Sequence, residues 1–375
     1  MDGQEDQIAD AAVDFFKNQF KEGDEADSYE ILNEILVMNN DDQKEEIQKC
    51  PSKEELKTAV MRLNRHSAEG PDGMTGAFYQ DTWYIAGDDI CNMIKSFFCG
   101  AELSKFVTHT NLVLLPKKLV VNTFLDMRTI SLSNFVNKIF SRIIHERIEV
   151  VLPYIISPEH VGFVQRRSIA ENVLLVQEII TKIRKRGKPP NLVIKLDMRK
   201  AYDRLEWIYL AKVLRRMGFG ERLIDMVFRL VGNNWYSILS NGQPKGFFQS
   251  SRGMKQEDPL SSTLFIIAAE VISRSLNSLM KKKEFKPFGM PRGSPKLNHM
   301  AFADDVIILC KYEIQTLQIV RRVLEGNDKL SRQKINKEKS SIYLHQNVSQ
   351  GRYSSSRSSN RYSEEGLYFH LPRMS

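Results

Sequence analysis

Apolar residues recur at helical spacing along several stretches of the chain, and each stretch predicts a helix that packs on a core. Between residues 8 and 38 this pattern favours one or two amphipathic helices, with one apolar face at Ile8, Ala12, Phe15, Phe16 and Phe20. Ser52 and Glu55 form a Ser-x-x-Glu capping box, which predicts the start of a further helix. The stretch from Asn134 to Leu152 is helical by the same criterion, and its wide apolar stripe indicates core rather than chemistry.

Short apolar runs bounded by polar or turn-forming residues predict strands. One run ends on Asp197, so a strand would carry this carboxylate at its C-terminal end. Two further runs flank Asp304 and Asp305 and predict a β-hairpin with both acids at its tip. Asn241-Gly242 is a strong turn signal and predicts another hairpin between residues 236 and 248. Helices are predicted over residues 206–231, after Ser262 and over 313–331.

Composition and charge narrow the class of protein. The 375 residues are 42% hydrophobic, enough for one large or two modest domains, and the formal net charge is +8. Residues 1–55 carry 17 acidic and 5 basic residues, so the rest of the chain has a net charge of +20. A strongly basic body favours a polyanionic partner, although a merely soluble basic protein has the same charge.

Cysteine spacing and hydropathy indicate the cellular setting. The four cysteines form no Cys-x-x-Cys pair, so neither a zinc site nor a disulfide framework is supported. The chain opens without a signal peptide and contains no run of about 18 apolar residues. We therefore expect cytoplasm or nucleus, no secretion and no membrane partner.

The acidic residues raise the question of a metal site. Adjacent carboxylates repel one another, and a divalent cation such as Mg²⁺ or Mn²⁺ removes that conflict. A strand-borne Asp197 beside a hairpin with Asp304 and Asp305 would hold two ions suited to phosphoryl transfer. The alternative is a solvated Asp-Asp turn, because acidic residues favour turns. The sequence alone does not establish that the three carboxylates meet.

Three stretches in this order resemble the reverse transcriptases of plant non-LTR (LINE-type) retrotransposons. They are Asp197 to Leu205, Ser251 to Ser261, and Phe302-Ala303-Asp304-Asp305, and the similarity extends from about residue 8 to about residue 347. The resemblance implies an α+β fold with the palm and fingers of a right-hand polymerase and with the thumb largely missing. We expect a helical N-terminal extension at 1–65 (acidic to about 55) and a reverse transcriptase domain at 66–347. The tail at 348–375 is of low complexity and does not resemble the family, so it is expected to be disordered or aberrant.

The same resemblance implies an RNA-directed DNA polymerase and the roles of individual residues. Catalysis and the binding of two Mg²⁺ or Mn²⁺ ions are assigned to Asp197, Asp304 and Asp305, and nucleotide binding to Lys117, Arg128, Tyr202, Gln256 and Lys339. Arg128 and Lys117 would face the triphosphate, Tyr202 would exclude a 2′-hydroxyl, and Lys339 would be a general acid for pyrophosphate departure. The partners would be an RNA template, a DNA primer and dNTP substrates. For Tyr202 the alternative is an aromatic ring packed in the core, and for the cations it is solvated surface charge.

Some positions depart from the family pattern. Glu257 stands where relatives have a glycine, and Gln165-Arg166-Arg167 stands where they commonly show Pro-Gly-Arg. A lost glycine matters where the backbone needs φ > 0. Thr129 replaces the usual proline after Arg128. A catalytically inactive nucleic-acid-binding relic is therefore an alternative reading. An RNA-directed RNA polymerase is another, but Tyr202 and the Phe-Ala-Asp-Asp hairpin argue against it.

Overall fold

The computed structural model describes residues 2–21, 29–35, 37, 41–183, 189–199, 201–290 and 296–344. Its α-helices are α1 Asp2–Gln19, α2 Asp41–Gln48, α3 Lys53–Arg62, α4 Gly76–Asp81, α5 Trp83–Phe98, α6 Lys105–Thr108, α7 Phe135–Glu149, α8 Leu152–Ile155, α9 Ile169–Ile183, α10 Ala201–Arg204, α11 Trp207–Met217, α12 Glu221–Val231, α13 Pro259–Leu279 and α14 Ile314–Ser331. Two 3₁₀-helices span Glu30–Glu34 and Phe124–Asp126. The predicted tail at 348–375 lies outside the described residues.

The strands are β1 His109–Pro116, β2 Met127–Ser133, β3 Asn191–Arg199, β4 Trp235–Ser240, β5 Gln243–Gln249, β6 His299–Phe302, β7 Asp305–Lys311, β8 Lys334–Ile335 and β9 Ser341–Leu344. They form two separate sheets, and most of the described chain outside them is helical. This segregation of helices and mainly antiparallel strands is the predicted α+β class.

The chain divides into two compact units. The first contains Met1–Asp27, Leu36–Ile155 and Tyr202–Ala268. Its sheet has the strand order β2-β1-β4-β5, in which β1 and β4 are parallel and the other pairs are antiparallel. Helix α1 packs on β4 and β5 through four of the five predicted residues: Ala12, Phe16 and Phe20 are buried and Phe15 is partly buried. The prediction for Ile8 was wrong, because this side chain is 56% exposed. The core at this contact consists of Ala12, Phe16, Phe20, Leu112, Tyr236, Ile238 and Phe248.

The hairpin from β4 to β5 turns at Asn241-Gly242, as predicted. Both residues have positive φ, +50° for Asn241 and +77° for Gly242. This is the type I′ geometry whose twist matches that of the flanking strands. The first unit also contains the apolar stripe of α7, whose members Ile139, Phe140, Ile143, Ile144 and Ile148 are buried as predicted.

The second unit contains Ser28–Ile35, Ile156–Ala201 and Ala269–Ser375. Strand β3 lies inside its sheet, with β7 on one side and the short strands β8 and β9 on the other. The apolar run before Asp197 is interior: Leu192, Ile194 and Leu196 are buried on one face of β3. Burying a large aliphatic side chain contributes about 1.5–3 kcal/mol, so this run holds β3 firmly beneath the site at its end.

Helix α13 is long and apolar enough to cross a membrane by length and composition. However, 83% of its most apolar window is buried in the protein, as in the core helix of a water-soluble fold. In the part of the chain that the structure describes, it is the one helix that meets this test.

Candidate active site

The candidate site is built on the pairing of β3 with the β6–β7 hairpin. Asp197, near the end of β3, lies directly opposite Asp305, the first residue of β7, and Asp305 also pairs with Phe302 of β6. Residues opposite one another in an antiparallel pair point to the same face of the sheet. Asp197 and Asp305 therefore share a face, and the backbone N–H of Met198 donates to the Asp304 carbonyl across 3.3 Å.

The predicted hairpin is confirmed, but its turn consists of Ala303 and Asp304 rather than of the two acids. Ala303 has φ +51°, which allows the tight reversal. Asp305 is part of the strand because the β3 ladder extends as far as this residue. The two adjacent carboxylates are consequently held by different constraints, one by the turn and one by the ladder.

The electrostatics indicate that the three acids are neighbours. Burial raises the pKa of the Asp304 carboxyl above its ordinary value, and the charges of Asp305 and Asp197 raise it further. The backbone N–H of Asp304 itself and the Lys339 ammonium act in the opposite direction. Lys339 is exposed, between β8 and β9. The structure thus brings Asp197, Asp304, Asp305 and Lys339 into one electrostatic neighbourhood.

Two residues that sequence reasoning missed hold Asp197. The Asn336 side-chain amide donates to Asp197 Oδ1 at 3.0 Å, and the Asn336 backbone N–H donates to the Asp197 carbonyl at 2.8 Å. The Asp197 backbone N–H donates to the Ser340 hydroxyl at 3.1 Å. Both residues belong to the stretch that contains Lys339. Their polar side chains, four positions apart, were the available signal.

The remaining oxygens of the site decide whether a cation fits. Asp305 Oδ1 is buried and accepts no hydrogen bond from the described residues, while the Lys195 ammonium lies 3.5 Å from it. The side chains of Lys195 and Asp305 are 42% and 45% exposed, and such an ion pair contributes only about 0–1 kcal/mol. Hard carboxylate oxygens that repel one another, one of them without a hydrogen bond, suit a hard divalent cation. Among the described residues no three acidic, histidine or cysteine side chains surround one point.

Lys117 and Arg128 belong to the first unit, where they lie near the end of the β1–β2 pair that the connecting loop closes. Arg128 pairs with Leu115 in register, and its side chain is exposed. The Lys117 backbone N–H donates to the Asp126 carbonyl at 2.8 Å, and its ammonium donates to the Leu125 carbonyl at 3.4 Å. Thr129, which replaces the family proline, is buried within the ladder. The structure thus places both predicted triphosphate cations on one hairpin.

Tyr202 and Gln256 form a further group in the first unit, linked through Asp203. The Tyr202 ring stacks on Phe265, with ring centroids 4.6 Å apart and planes 14° from parallel. Asp203 is buried, and its carboxylate accepts from the amides of Gln256 at 2.9 Å and Gln19 at 3.1 Å. Tyr202 is therefore only partly packed in the core: one face of its ring stacks on Phe265, and the residue stays partly exposed.

The loop before α13 has positive φ at two residues, one of which departs from the family pattern. Gly253 has φ +81°, and a Cβ at this position would lie 2.7 Å from the Asp203 carbonyl oxygen. Glu257 has φ +71°, and in the second unit Arg166 has φ +64°. Glu257 and Arg166 thus stand in left-handed backbone where the relatives have glycine. A side chain there carries strain that glycine avoids.

Known proteins match this chain over most of its length. A family model described as reverse transcriptase (RNA-dependent DNA polymerase) matches residues 116–362. The transposon TX1 uncharacterized 149 kDa protein of Xenopus laevis is 27% identical over 90% of the chain, and the Pol polyprotein of the Drosophila melanogaster R2DM element is 25% identical over 70%. The chain spans 25% and 24% of these two relatives. An uncharacterized mitochondrial protein of Arabidopsis thaliana, AtMg01250, is 40% identical over 18% of the chain and 56% of its own length.

These matches confirm the resemblance to non-LTR retrotransposon enzymes and the α+β palm-and-fingers fold, while the plant assignment stays a prediction. Reverse transcriptases generally use divalent metal ions and act on a nucleic acid template and primer with dNTPs. The family match covers well over half of the chain and includes all three site acids. This chain belongs to the reverse transcriptase (RNA-dependent DNA polymerase) family.

Proposed function

We propose that this chain is the reverse transcriptase domain of a non-LTR retrotransposon and extends a DNA primer along an RNA template. In the reaction, the primer 3′-hydroxyl attacks the α-phosphorus of a dNTP, a new phosphodiester bond forms, and pyrophosphate leaves. The observation that carries the proposal is the register of Asp197 opposite Asp305, on the hairpin whose turn holds Asp304. That register gathers acids from distant parts of the sequence at one end of a sheet.

Asp197, Asp304 and Asp305 would hold the divalent ions, two Mg²⁺ or Mn²⁺. When bound, two such ions stabilise both the attacking and the leaving oxygen of an in-line displacement. Asn336 supports this role because its amide occupies one oxygen of Asp197 and orients the carboxylate. A carboxylate whose rotamer is already restricted loses less freedom when it binds a metal.

The nucleotide-binding assignments are part of the proposal. Arg128 is exposed and positively charged, which suits the negative charge of a triphosphate and the further charge that develops as pyrophosphate leaves. Lys117 adds a second cation on the same hairpin. Lys339 would donate a proton to the departing pyrophosphate. Tyr202 would exclude ribonucleotides. Its stacking on Phe265 supports this role because a fixed ring plane makes a firmer steric barrier than a mobile one. Gln256 would act through the Asp203 hydrogen bond.

The test is primer extension on an RNA template with Mg²⁺ or Mn²⁺. The chain as given is compared with Asp304→Asn and with Asp225→Asn, a matched control on α12 whose carboxylate is largely exposed and pairs with Arg229. We expect incorporation of dNTPs to disappear in Asp304→Asn and to persist in Asp225→Asn. Incorporation that survives in Asp304→Asn would refute the site. Incorporation of NTPs in place of dNTPs would favour an RNA polymerase.

A catalytically silent nucleic-acid-binding relic is the second candidate, and the φ of +71° at Glu257 is the observation that favours it. Glutamate adds strain, bulk and negative charge in a loop where relatives have glycine. A chain that binds primer–template but incorporates nothing supports the relic. Recovery of incorporation in Glu257→Gly would assign the fault to this loop, whereas continued silence in Glu257→Gly supports the relic.

A further inference from the structure

Four side chains in the first unit form an exposed aromatic platform, which we define as Lys105, His109, Trp235 and Phe247. The rings of Trp235 and Phe247 stack with centroids 4.9 Å apart and planes 14° from parallel. The Lys105 ammonium lies over the Trp235 ring at 4.0 Å, and the His109 ring meets Phe247 edge-on at 5.0 Å. Phe247 is 52% exposed, so a large part of this assembled surface faces solvent.

The platform does not contribute to the core of its sheet. Neighbouring residues along the same strands, Tyr236 and Phe248, point to the opposite face and are buried against α1. Side chains alternate between the two faces of a strand, so Trp235 and Phe247 lie on the outer face. The Phe247 ring, left half exposed there, contributes little to folding, although its position is fixed by stacking on Trp235 and by the edge-on contact with His109.

The same outer face carries the proposed triphosphate cation. His109 lies beside Trp235 in the parallel pair, and Leu115, further along the same face of β1, lies opposite Arg128. Residues that alternate along β1 share a face, and so do residues opposite one another. Arg128 and the platform are therefore on one face, separated by about 20 Å along the strand at roughly 3.3 Å per residue.

The size of the platform identifies its occupant. A stable protein–protein interface buries about 800 Å² on each partner, whereas one aromatic side chain buries about 150–250 Å². Phe247 is the ring of the platform that is 52% exposed, and one exposed ring matches a single nucleobase in size. Aromatic planes bind unpaired bases with little regard to sequence, and a cation over the ring adds electrostatic attraction. Lys105 also provides positive charge for the backbone phosphates.

We propose that the aromatic platform stacks an unpaired base of the single-stranded RNA template. The inference rests on the proposed function, in which the RNA template is the unpaired strand. Bases inside the primer–template duplex are stacked on one another and expose no free face, so the unpaired template strand is the better occupant. The platform would steady the incoming template strand on the face that also carries Arg128.

The test measures binding of a fluorescein-labelled oligouridylate by anisotropy, without divalent ions, in an Asp304→Asn background that separates binding from catalysis. We expect Phe247→Ala to weaken RNA binding about tenfold, which corresponds to about 1.4 kcal/mol. Phe247→Tyr keeps the ring and should bind as the parent does. Lys105→Gln should weaken binding and reduce its salt dependence. Tyr84→Ala is the matched control because Tyr84 is an aromatic residue of the same unit that is 85% exposed.

Three outcomes would overturn the proposal: unchanged binding in Phe247→Ala, an equal loss in Tyr84→Ala, and an equal loss with fully paired duplex RNA. Thermal unfolding of each variant identifies any loss caused by misfolding, and Phe247→Tyr provides a folded comparison. The result is independent of polymerase activity. If the chain binds RNA through Phe247 but never incorporates dNTPs, the proposed function fails while the platform stands.

Discussion

The strained backbone at Glu257 predicts that glycine at this position stabilises the fold. Glu257 has φ +71°, and an L-residue in left-handed backbone costs roughly 1–2 kcal/mol. Its side chain is exposed and attracts the Lys138 ammonium electrostatically. Glycine removes the strain, but its greater conformational entropy in the unfolded chain lowers the free energy of unfolding by about 0.4–1 kcal/mol. Glu257→Gly should therefore raise the free energy of unfolding by about 0.5–1 kcal/mol.

The assay is urea or thermal unfolding of the metal-free protein, in which this gain corresponds to a rise in Tm of about 1–4 °C. Glu257→Ala is the matched control because it removes the charge but keeps the Cβ in left-handed backbone. Stabilisation by glycine and not by alanine isolates the backbone strain. Equal stability of the two variants would refute the reasoning, as would a Glu257→Gly protein less stable than the parent.

Replacing either of two glycines of the same unit by alanine should have the opposite effect and destabilise the fold. Gly242 has φ +77° and open space around it, whereas a Cβ on Gly253, at φ +81°, would lie 2.7 Å from a backbone oxygen. Gly242→Ala should therefore lose only the conformational energy, about 1 kcal/mol. Gly253→Ala should lose clearly more, because the backbone of α10 must also shift. Equal losses measured by urea unfolding would contradict the close contact.

Three further predictions concern the second unit. Because the pKa of Asp304 is raised, its protonated carboxyl stabilises the fold below the ordinary value of 3.8, and this stabilisation is lost as pH rises through the folded-state pKa. Asp304→Asn should therefore stabilise the metal-free protein at pH 7 but not below pH 3.8, as measured by urea unfolding. Burial lowers the pKa of His160 to about 4 and that of His299 to about 3, so both neutral side chains stabilise the fold above pH 6.5. Between pH 7 and pH 4 the free energy of unfolding should fall on the order of 3 kcal/mol for His160 alone. Asn336→Ala leaves Asp197 Oδ1 without its amide partner and should weaken Mg²⁺ binding about 10–100-fold in isothermal titration, whereas an unchanged affinity would exclude its positioning role.

The sequence predicts those parts of the fold that local patterns encode. Short apolar runs bounded by polar residues identify β3 and the β6–β7 hairpin. Asn241-Gly242 identifies the β4–β5 turn, because turn chemistry depends on adjacent residues. The approach of Asp197 to Asp304 and Asp305 follows from the register of two strands. That register was expected from the family resemblance and not from the residues alone.

Other features could not be predicted because they depend on contacts between residues distant in sequence. The amide of Asn336 reaches Asp197 across 139 positions, and no local pattern specifies that pair. The stacking of Tyr202 on Phe265 also depends on how α10 and α13 pack. Left-handed backbone at Glu257 and Arg166 was predictable only from glycines in relatives, since neither glutamate nor arginine favours positive φ. Strand alternation places Trp235 on a face, but it does not predict its stacking on Phe247.

The most direct test of the central claim is RNA-templated primer extension with dNTPs and Mg²⁺, run in parallel on Glu257→Gly and on Glu257→Gly combined with Asp197→Asn. Asp197 pairs with the acidic hairpin through the register of β3 and β7. We expect template-dependent incorporation by the first protein and none by the second, with both proteins folded. Equal incorporation by the two proteins would contradict the assignment of Asp197 to the catalytic site.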